Sequence, residues 1–227
     1  MTSGGGKVAL VTGGGRRIGA AVSRALGKAG YEVVLTYRTS PREAAAVARE
    51  VGGAALPLDL SRPASFRRFA GRILDSRGRL DLLVHNAAVF PRTPFHTLSA
   101  AEWDAVFSVN LRGPALLTGA FLPLLRDTGG AGVLFLGDAN AGDMWPGYLP
   151  YCLSKLALER LARGLRKTFA PAVRVGLVRP GFALAPPGFP PDRWERLRTR
   201  EGRRGIGSPE GVARAVLRFA RGGDYNS

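Results

Sequence analysis

Unbroken aliphatic runs alternate with amphipathic stretches along this chain. Val8-Ala9-Leu10-Val11, Val33-Val34-Leu35 and Val133-Leu134-Phe135-Leu136 contain no polar residue. Runs without alternation suit strands covered on both faces. The pattern predicts strands at 7–11, 31–37, 54–58, 80–85, 132–137 and 172–178. Between them the apolar positions recur at helical spacing. The first helix runs from the Gly-rich turn to about residue 29, where Gly30 stops it. Further helices are predicted at 41–51 with Pro41 in its first turn, 63–76 capped by Ser61, near 100 behind Ser99, 109–125, 148–169, near 192–200, and from Ser208-Pro209-Glu210 to about 220. Residues 186–191 read as loop. Strands alternating with helices imply one α/β, Rossmann-like doubly wound domain over residues 1–227. Its sheet is parallel, with about six strands in order 3-2-1-4-5-6 and helices on both faces.

Composition bounds the partners. The 227 residues are 45% apolar, enough for a substantial core. The net charge is +16, which raises nucleic acid as a partner. The cations are nearly all Arg, dispersed, interleaved with acids near 41–50 and 192–201, and accompanied by few aromatics. Anionic small ligands therefore fit better than nucleic acid. No run approaches the ~20 apolar residues of a membrane span, and MTSGGGKVALV lacks a basic start followed by a long apolar stretch. Cys152 is the single cysteine, so no intrachain disulfide forms. The expectation is a cytoplasmic protein with no membrane partner and no metal; His85, a lone histidine at a strand end, reads as a hydrogen-bonding residue.

Candidate chemistry gathers at three places. Thr12-Gly13-Gly14-Gly15-Arg16-Arg17-Ile18-Gly19 joins the first strand to the first helix, where glycines admit a pyrophosphate and the helix N-terminus favours its charge. The second strand ends Thr36-Tyr37-Arg38-Thr39-Ser40 without the acid that would hold a ribose 2′-hydroxyl. Arg38, joined by Arg16, suits a 2′-phosphate, which points to NADPH. Tyr151 and Lys155 lie at i, i+4, on one helix face. An ammonium beside a phenol lowers its pKa, so Tyr151 is expected to exchange a proton near neutrality. Asp138 lies thirteen residues upstream, at the end of the fifth predicted strand, and no serine occurs between Ser108 and Ser154.

The set TGGGRRIG, Asp59, His85-Asn86-Ala87-Ala88, Asn110, Tyr151-x-x-x-Lys155 and Arg179-Pro180-Gly181 resembles the short-chain dehydrogenase/reductase family over nearly the whole chain. The resemblance implies that Gly13, Arg16, Arg17, Ile18, Gly19, Tyr37, Arg38 and Thr39 line the cofactor site. Asp59 would hold the adenine amino group next to Leu60, Asn86 would stabilise the central strand and contact the adenosine ribose, and Ala87 and Ala88 would also line the cofactor site. Pro180 and Gly181 would pass beside the nicotinamide. Tyr151 would be the proton donor, Lys155 would bind the nicotinamide ribose and tune Tyr151, and Asn110 would kink its helix and hold a relay water. Within the family, Arg17, Phe90, Asp138, Tyr151 and Lys155 resemble the pteridine reductase group, which implies a substrate site of Arg17, Phe90, Asp138 and Tyr151, with a loop at 182–200. The family's dimer faces match 102–125 and 148–169, implying a homodimer or homotetramer. Two departures stand out. His85 and Ala88 replace the usual polar pattern, and no seventh strand follows the last helix, leaving the sixth strand at an edge that needs cover.

An ionised Asp accepts hydrogen bonds and cannot donate them. It is unfavourable beside a ketone oxygen gaining charge and favourable beside a ring nitrogen gaining a proton. Asp138 therefore points to reduction of C=N in a flat heterocycle such as a dihydropterin, sandwiched between Phe90 and the nicotinamide. The alternative is a ketone or 3-oxoacyl reductase of the same family. A third reading is an NADPH-binding protein without turnover.

Overall fold

The computed structural model describes residues 6–185, 189–200 and 205–223. The strands are β1 (Val8–Val11), β2 (Glu32–Tyr37), β3 (Ala54–Pro57), β4 (Leu82–His85), β5 (Gly132–Leu136) and β6 (Arg174–Val178). All pair in parallel, in the order β3-β2-β1-β4-β5-β6. The helices are α1 (Arg17–Lys28), α2 (Pro41–Glu50), α3 (Phe66–Arg77), α4 (Ala100–Phe107), α5 (Gly113–Thr128), α6 (Leu149–Phe169), α7 (Pro191–Arg200) and α8 (Pro209–Ala220).

The unbroken apolar strands feed two cores at once because successive side chains point to opposite faces. Leu10, Leu83, Val133 and Phe135 pack with Phe66, Phe121 and Leu158, under α3, α5 and α6. Their neighbours Ala9, Val11, Leu82, Val84, Leu134 and Leu136 pack on the other side with Leu26, Val216 and Phe219, under α1 and α8. The sheet order reverses at β1, flanked by β2 and β4. A crevice opens beyond the carboxyl ends of strands at such a switch point. The turn after β1, Asn86 after β4, Asp138 after β5 and Pro180 after β6 all lie at that end.

Several expected boundaries and caps hold. Gly30, at φ +84°, follows the end of α1. Ser99 and Glu102 form a reciprocal capping box on α4. Ser208 accepts from the N–H of Gly211 at the start of α8. Ser61 does not cap a helix. Its hydroxyl donates to Asp59 Oδ1 at 2.7 Å, and a 3₁₀ turn at Pro63–Ser65 precedes α3. The short Asp59–Ser61 loop satisfies the serine locally before the helix can use it.

Residues 100–128 form a continuous helical run in which an 18-residue stretch has a mean hydropathy of 1.3, long and apolar enough to span a bilayer by length and composition. Val109, Leu117, Phe121, Leu124 and Leu125 instead bury into the core. Counting uninterrupted apolar residues missed this run, since Asn110, Arg112 and Thr118 punctuate it. Among the described residues β6 ends the sheet. Part of the expected loop at 186–191, namely residues 186–188, and the tail at 224–227 lie outside the described residues.

Candidate active site

The glycine turn is built by contacts that exclude side chains. Gly13 sits at φ +62°, a region L-residues avoid. A Cβ on Gly19 would run into the carbonyl oxygen of Gly13. Asn86 holds the same turn from β4. Its Nδ2 donates to the carbonyls of Thr12 at 2.8 Å and Gly13 at 3.1 Å. The N–H groups of Asn86 and Ala87 return to Thr12 Oγ1 at 3.0 and 3.1 Å. Turn and strand end are therefore one rigid unit, with backbone N–H groups at the start of α1 left for an anion. Ile18 packs inward against the α1 core, and Ala88 is exposed.

Arg16 is the exposed N-cap of α1. Arg17 follows at φ +52°, an uncommon conformation for a non-glycine residue. Its Nη2 donates to the carbonyls of Ala185 at 2.7 Å and Leu184 at 3.4 Å. In this structure Arg17 thus ties the glycine turn to the segment after β6. Arg38 and Thr39 are exposed just past β2, beside half-buried Tyr37. Asp59 follows β3. Burial pushes its carboxyl up, but hydrogen bonds from Ser61 and the nearby Arg38 and Arg62 outweigh this and hold it below the usual range. Leu60 is buried beside it.

The catalytic candidates meet at the ends of β5 and α6. Tyr151 Oη donates to Asp138 Oδ2 at 2.7 Å, and the N–H of Asn140 donates to Asp138 Oδ1 at 2.8 Å. Burial drives the Asp138 carboxyl above its ordinary value despite both bonds and the Lys155 charge. Tyr151 is pushed well up, first by burial and then by the charge and hydrogen bond of Asp138. This corrects the expectation that Lys155 lowers Tyr151. The Lys155 ammonium points to the Leu136 carbonyl at 2.8 Å and lies 5.9 Å from the phenol ring centre. Lys155 itself is lowered to about 8 by burial, with Asp138 and Glu159 opposing.

Asn110 sits in a π-helical turn, Ser108–Arg112, between α4 and α5, which is the expected kink. Its Oδ1 accepts from the Val89 N–H at 2.8 Å, and its Nδ2 donates to the Val89 carbonyl at 3.0 Å and to Ser154 Oγ at 3.1 Å. Both amide hydrogens are used within the protein, leaving one lone pair of Oδ1 for a water. Pro180 and Gly181 are anchored on both sides. The Ala139 N–H donates to the Pro180 carbonyl at 2.9 Å, and the Gly181 N–H to the Ile206 carbonyl at 3.0 Å. His85 is fully buried and donates from Nε2 to Thr118 Oγ1 at 2.8 Å, since that hydroxyl itself donates to the Pro114 carbonyl. Burial lowers its pKa to about 3, which keeps it neutral and structural.

This arrangement has the parts of a dinucleotide reductase: an anion-receptive turn, an arginine past β2, and a buried phenol beside a lysine. A family model described as short chain dehydrogenase matches residues 7–187. The chain belongs to the short-chain dehydrogenase family. Granaticin polyketide synthase putative ketoacyl reductase 2 of Streptomyces violaceoruber is 33% identical, with 94% of this chain and 89% of that one covered. A metagenomic short-chain oxidoreductase solved in complex with NADP matches at TM-score 0.81 and 31% identity, covering 97% of this chain and 95% of that one. A short-chain dehydrogenase from Burkholderia cenocepacia J2315, also in complex with NADP, matches at TM-score 0.86 and 29% identity, covering 94% and 90%. The protein is thus an oxidoreductase of this family.

Phe90 does not stand free as one wall of a sandwich. Tyr148 stacks on it at 4.4 Å and 8°, and Tyr151 meets it edge-on at 4.4 Å. One face is therefore already taken. Sequence reasoning did not foresee that Trp145 and Tyr148 gather around Phe90 or that Phe182 stacks on Trp145. The recurrence of aromatics at 145, 148 and 151 was the available signal.

Proposed function

We propose that the protein reduces a carbonyl group at the expense of NADPH. The observation that carries this reading is the buried Tyr151–Asp138 pair beside Lys155. Burial and Asp138 hold the phenol protonated across the physiological range, and reduction requires a group that arrives with its proton. NADPH, when bound, supplies the hydride. Gly13 and Gly19 would admit its pyrophosphate, Arg38 with Arg16 its 2′-phosphate, Asp59 its adenine and Lys155 its nicotinamide ribose. The solved relatives in complex with NADP support that cofactor, and the relative named a ketoacyl reductase supports a carbonyl substrate.

Tyr151 Oη delivers its proton to the carbonyl oxygen as the C–O bond gains charge. In its protonated form, which burial favours, Asp138 donates to the same oxygen in the manner of a serine. Once ionised it opposes the developing charge. Reduction of C=N in a flat heterocycle is the second reading, favoured specifically by a carboxylate, not a hydroxyl, at Tyr151. Following NADPH absorbance in the presence of 3-ketoesters, cyclic ketones and dihydropterins tests both. Turnover of ketones alone supports the first reading; turnover of pterins alone overturns it. Tight NADPH binding with no oxidation on any substrate would instead mark a silent binding protein.

A further inference from the structure

Aromatic rings run from the catalytic phenol to α7. Phe90 meets Tyr151 edge-on and then Trp145, at 5.9 Å and 89°. Trp145 stacks with Phe182 at 6.0 Å and 22°. Phe182 meets Trp194 of α7 edge-on at 5.3 Å. Phe90, Trp145, Tyr148 and Phe182 are all partly exposed, so each keeps area for a ligand.

Backbone contacts anchor the segments that carry the two middle rings. Trp145 lies between Met144 at φ +50° and Gly147 at φ +78°, and its carbonyl accepts from the Tyr148 N–H at 3.0 Å. Phe182 is pinned on both sides. Gly181 before it binds the Ile206 carbonyl, and Leu184 and Ala185 after it accept from Arg17. Rigid, pre-positioned rings bind a flat apolar group with little ordering cost.

We propose that Trp145 and Phe182 form the specificity wall of the substrate site, and that the preferred substrate is an aryl ketone with its ring system beside the reacting carbonyl. This rests on the carbonyl-reductase reading. A short acyclic ketone leaves the wall in water and gains nothing from it. The aryl group of a larger ketone covers it while the carbonyl oxygen reaches Tyr151 Oη and Asp138.

The test compares kcat/KM for α-tetralone, a fused bicyclic aryl ketone, with that for 2-pentanone. Wild type, Trp145→Ala, Trp145→Phe and Phe182→Ala are used, each checked by thermal melt. Wild type is expected to favour α-tetralone. Each alanine variant should lose about 3- to 10-fold on it per ring contact removed, with 2-pentanone changed less than about twofold and Trp145→Phe restoring most of the loss. No aryl preference in wild type, or equal losses on both ketones, overturns the wall. If neither ketone turns over, the carbonyl reading fails by itself. Calorimetric binding of α-tetralone to the NADP⁺-loaded protein then decides the wall: several-fold weaker binding in Trp145→Ala supports it, and unchanged or absent binding overturns it.

Discussion

Replacing Asp138 by serine separates the two substrate chemistries. In the resting site Tyr151 donates to Asp138 across 2.7 Å. With the carboxyl ionised this bond is charge-assisted, at about 1.5–3 kcal/mol against about 0.5–1.5 for a neutral pair. The phenol forfeits the difference, about 1–2 kcal/mol, when it gives up its proton, or about 5- to 30-fold in rate. Asp138 is raised by burial, so the penalty is absent at low pH, where the acid is neutral, and grows as pH rises through its pKa. Asp138→Ser should therefore reduce ketones about 5- to 30-fold faster than wild type near pH 8, with the gain shrinking toward acid pH. On a dihydropterin the same variant should lose activity, because no carboxylate remains to receive the ring's charge. The assay is kcat against pH with saturating NADPH on one substrate of each class. An Asp138→Ser enzyme slower on ketones at every pH would refute the charge argument, since Asp138 would then be an indispensable acid. Asp138→Asn, which keeps an acceptor for the Asn140 N–H, controls for loop distortion.

Three further outcomes follow from the geometry. Tyr151→Phe removes the proton donor and should cut kcat by about 10²- to 10⁴-fold, while NADPH affinity by fluorescence titration changes little; retained turnover would remove Tyr151 from the mechanism. Arg38→Asp takes the cation away from the expected 2′-phosphate and supplies an acceptor for a ribose hydroxyl. It should raise the NADPH KM by about 10- to 100-fold and lower that of NADH, and an unchanged cofactor ratio would show Arg38 to be a bystander. Lys155 is lowered from 10.5 to about 8, so its charged form is disfavoured by folding. Stability from this group is fully present above the unfolded value and is lost as pH falls through about 8. That difference is worth at most roughly 3 kcal/mol. In urea unfolding without cofactor, wild type should gain on Lys155→Met as pH rises from about 7 to about 10; parallel pH profiles would contradict the burial argument.

Much of this molecule was legible in its one-dimensional pattern. Unbroken runs such as Val133-Leu134-Phe135-Leu136 announce a strand between two cores, because period-2 geometry sends Phe135 to one face and Leu134 to the other. Parallel pairing and strand order followed from the alternation with helices. The glycines of the first turn and the Tyr151–Lys155 spacing were legible because backbone sterics and helix geometry constrain residue type locally, whereas Asn110 stood out only through the family resemblance. Ser61 was misplaced because an Asx-type turn and a helix cap draw on the same serine chemistry, and sequence alone does not show which backbone the hydroxyl meets.

The residue types and their order along the chain determined the fold class, the glycine turn after β1 and which three side chains, Asp138, Tyr151 and Lys155, are candidates for the chemistry. Tertiary structure alone decided how that trio is tuned. Whether Lys155 or Asp138 governs the Tyr151 phenol depends on which one lies against its oxygen and how much water remains, and neither is written in an i, i+4 spacing. The Leu136 carbonyl holds Lys155, Asp138 takes the phenol proton as its bond partner, and burial raises both acids. The same holds for Arg17, whose guanidinium reaches a segment more than 160 residues away in the chain, and for Phe90, whose face is filled by Tyr148. Such contacts arise from packing between distant segments, and dielectric and distance, the quantities that set pKa and specificity, exist only once those segments meet.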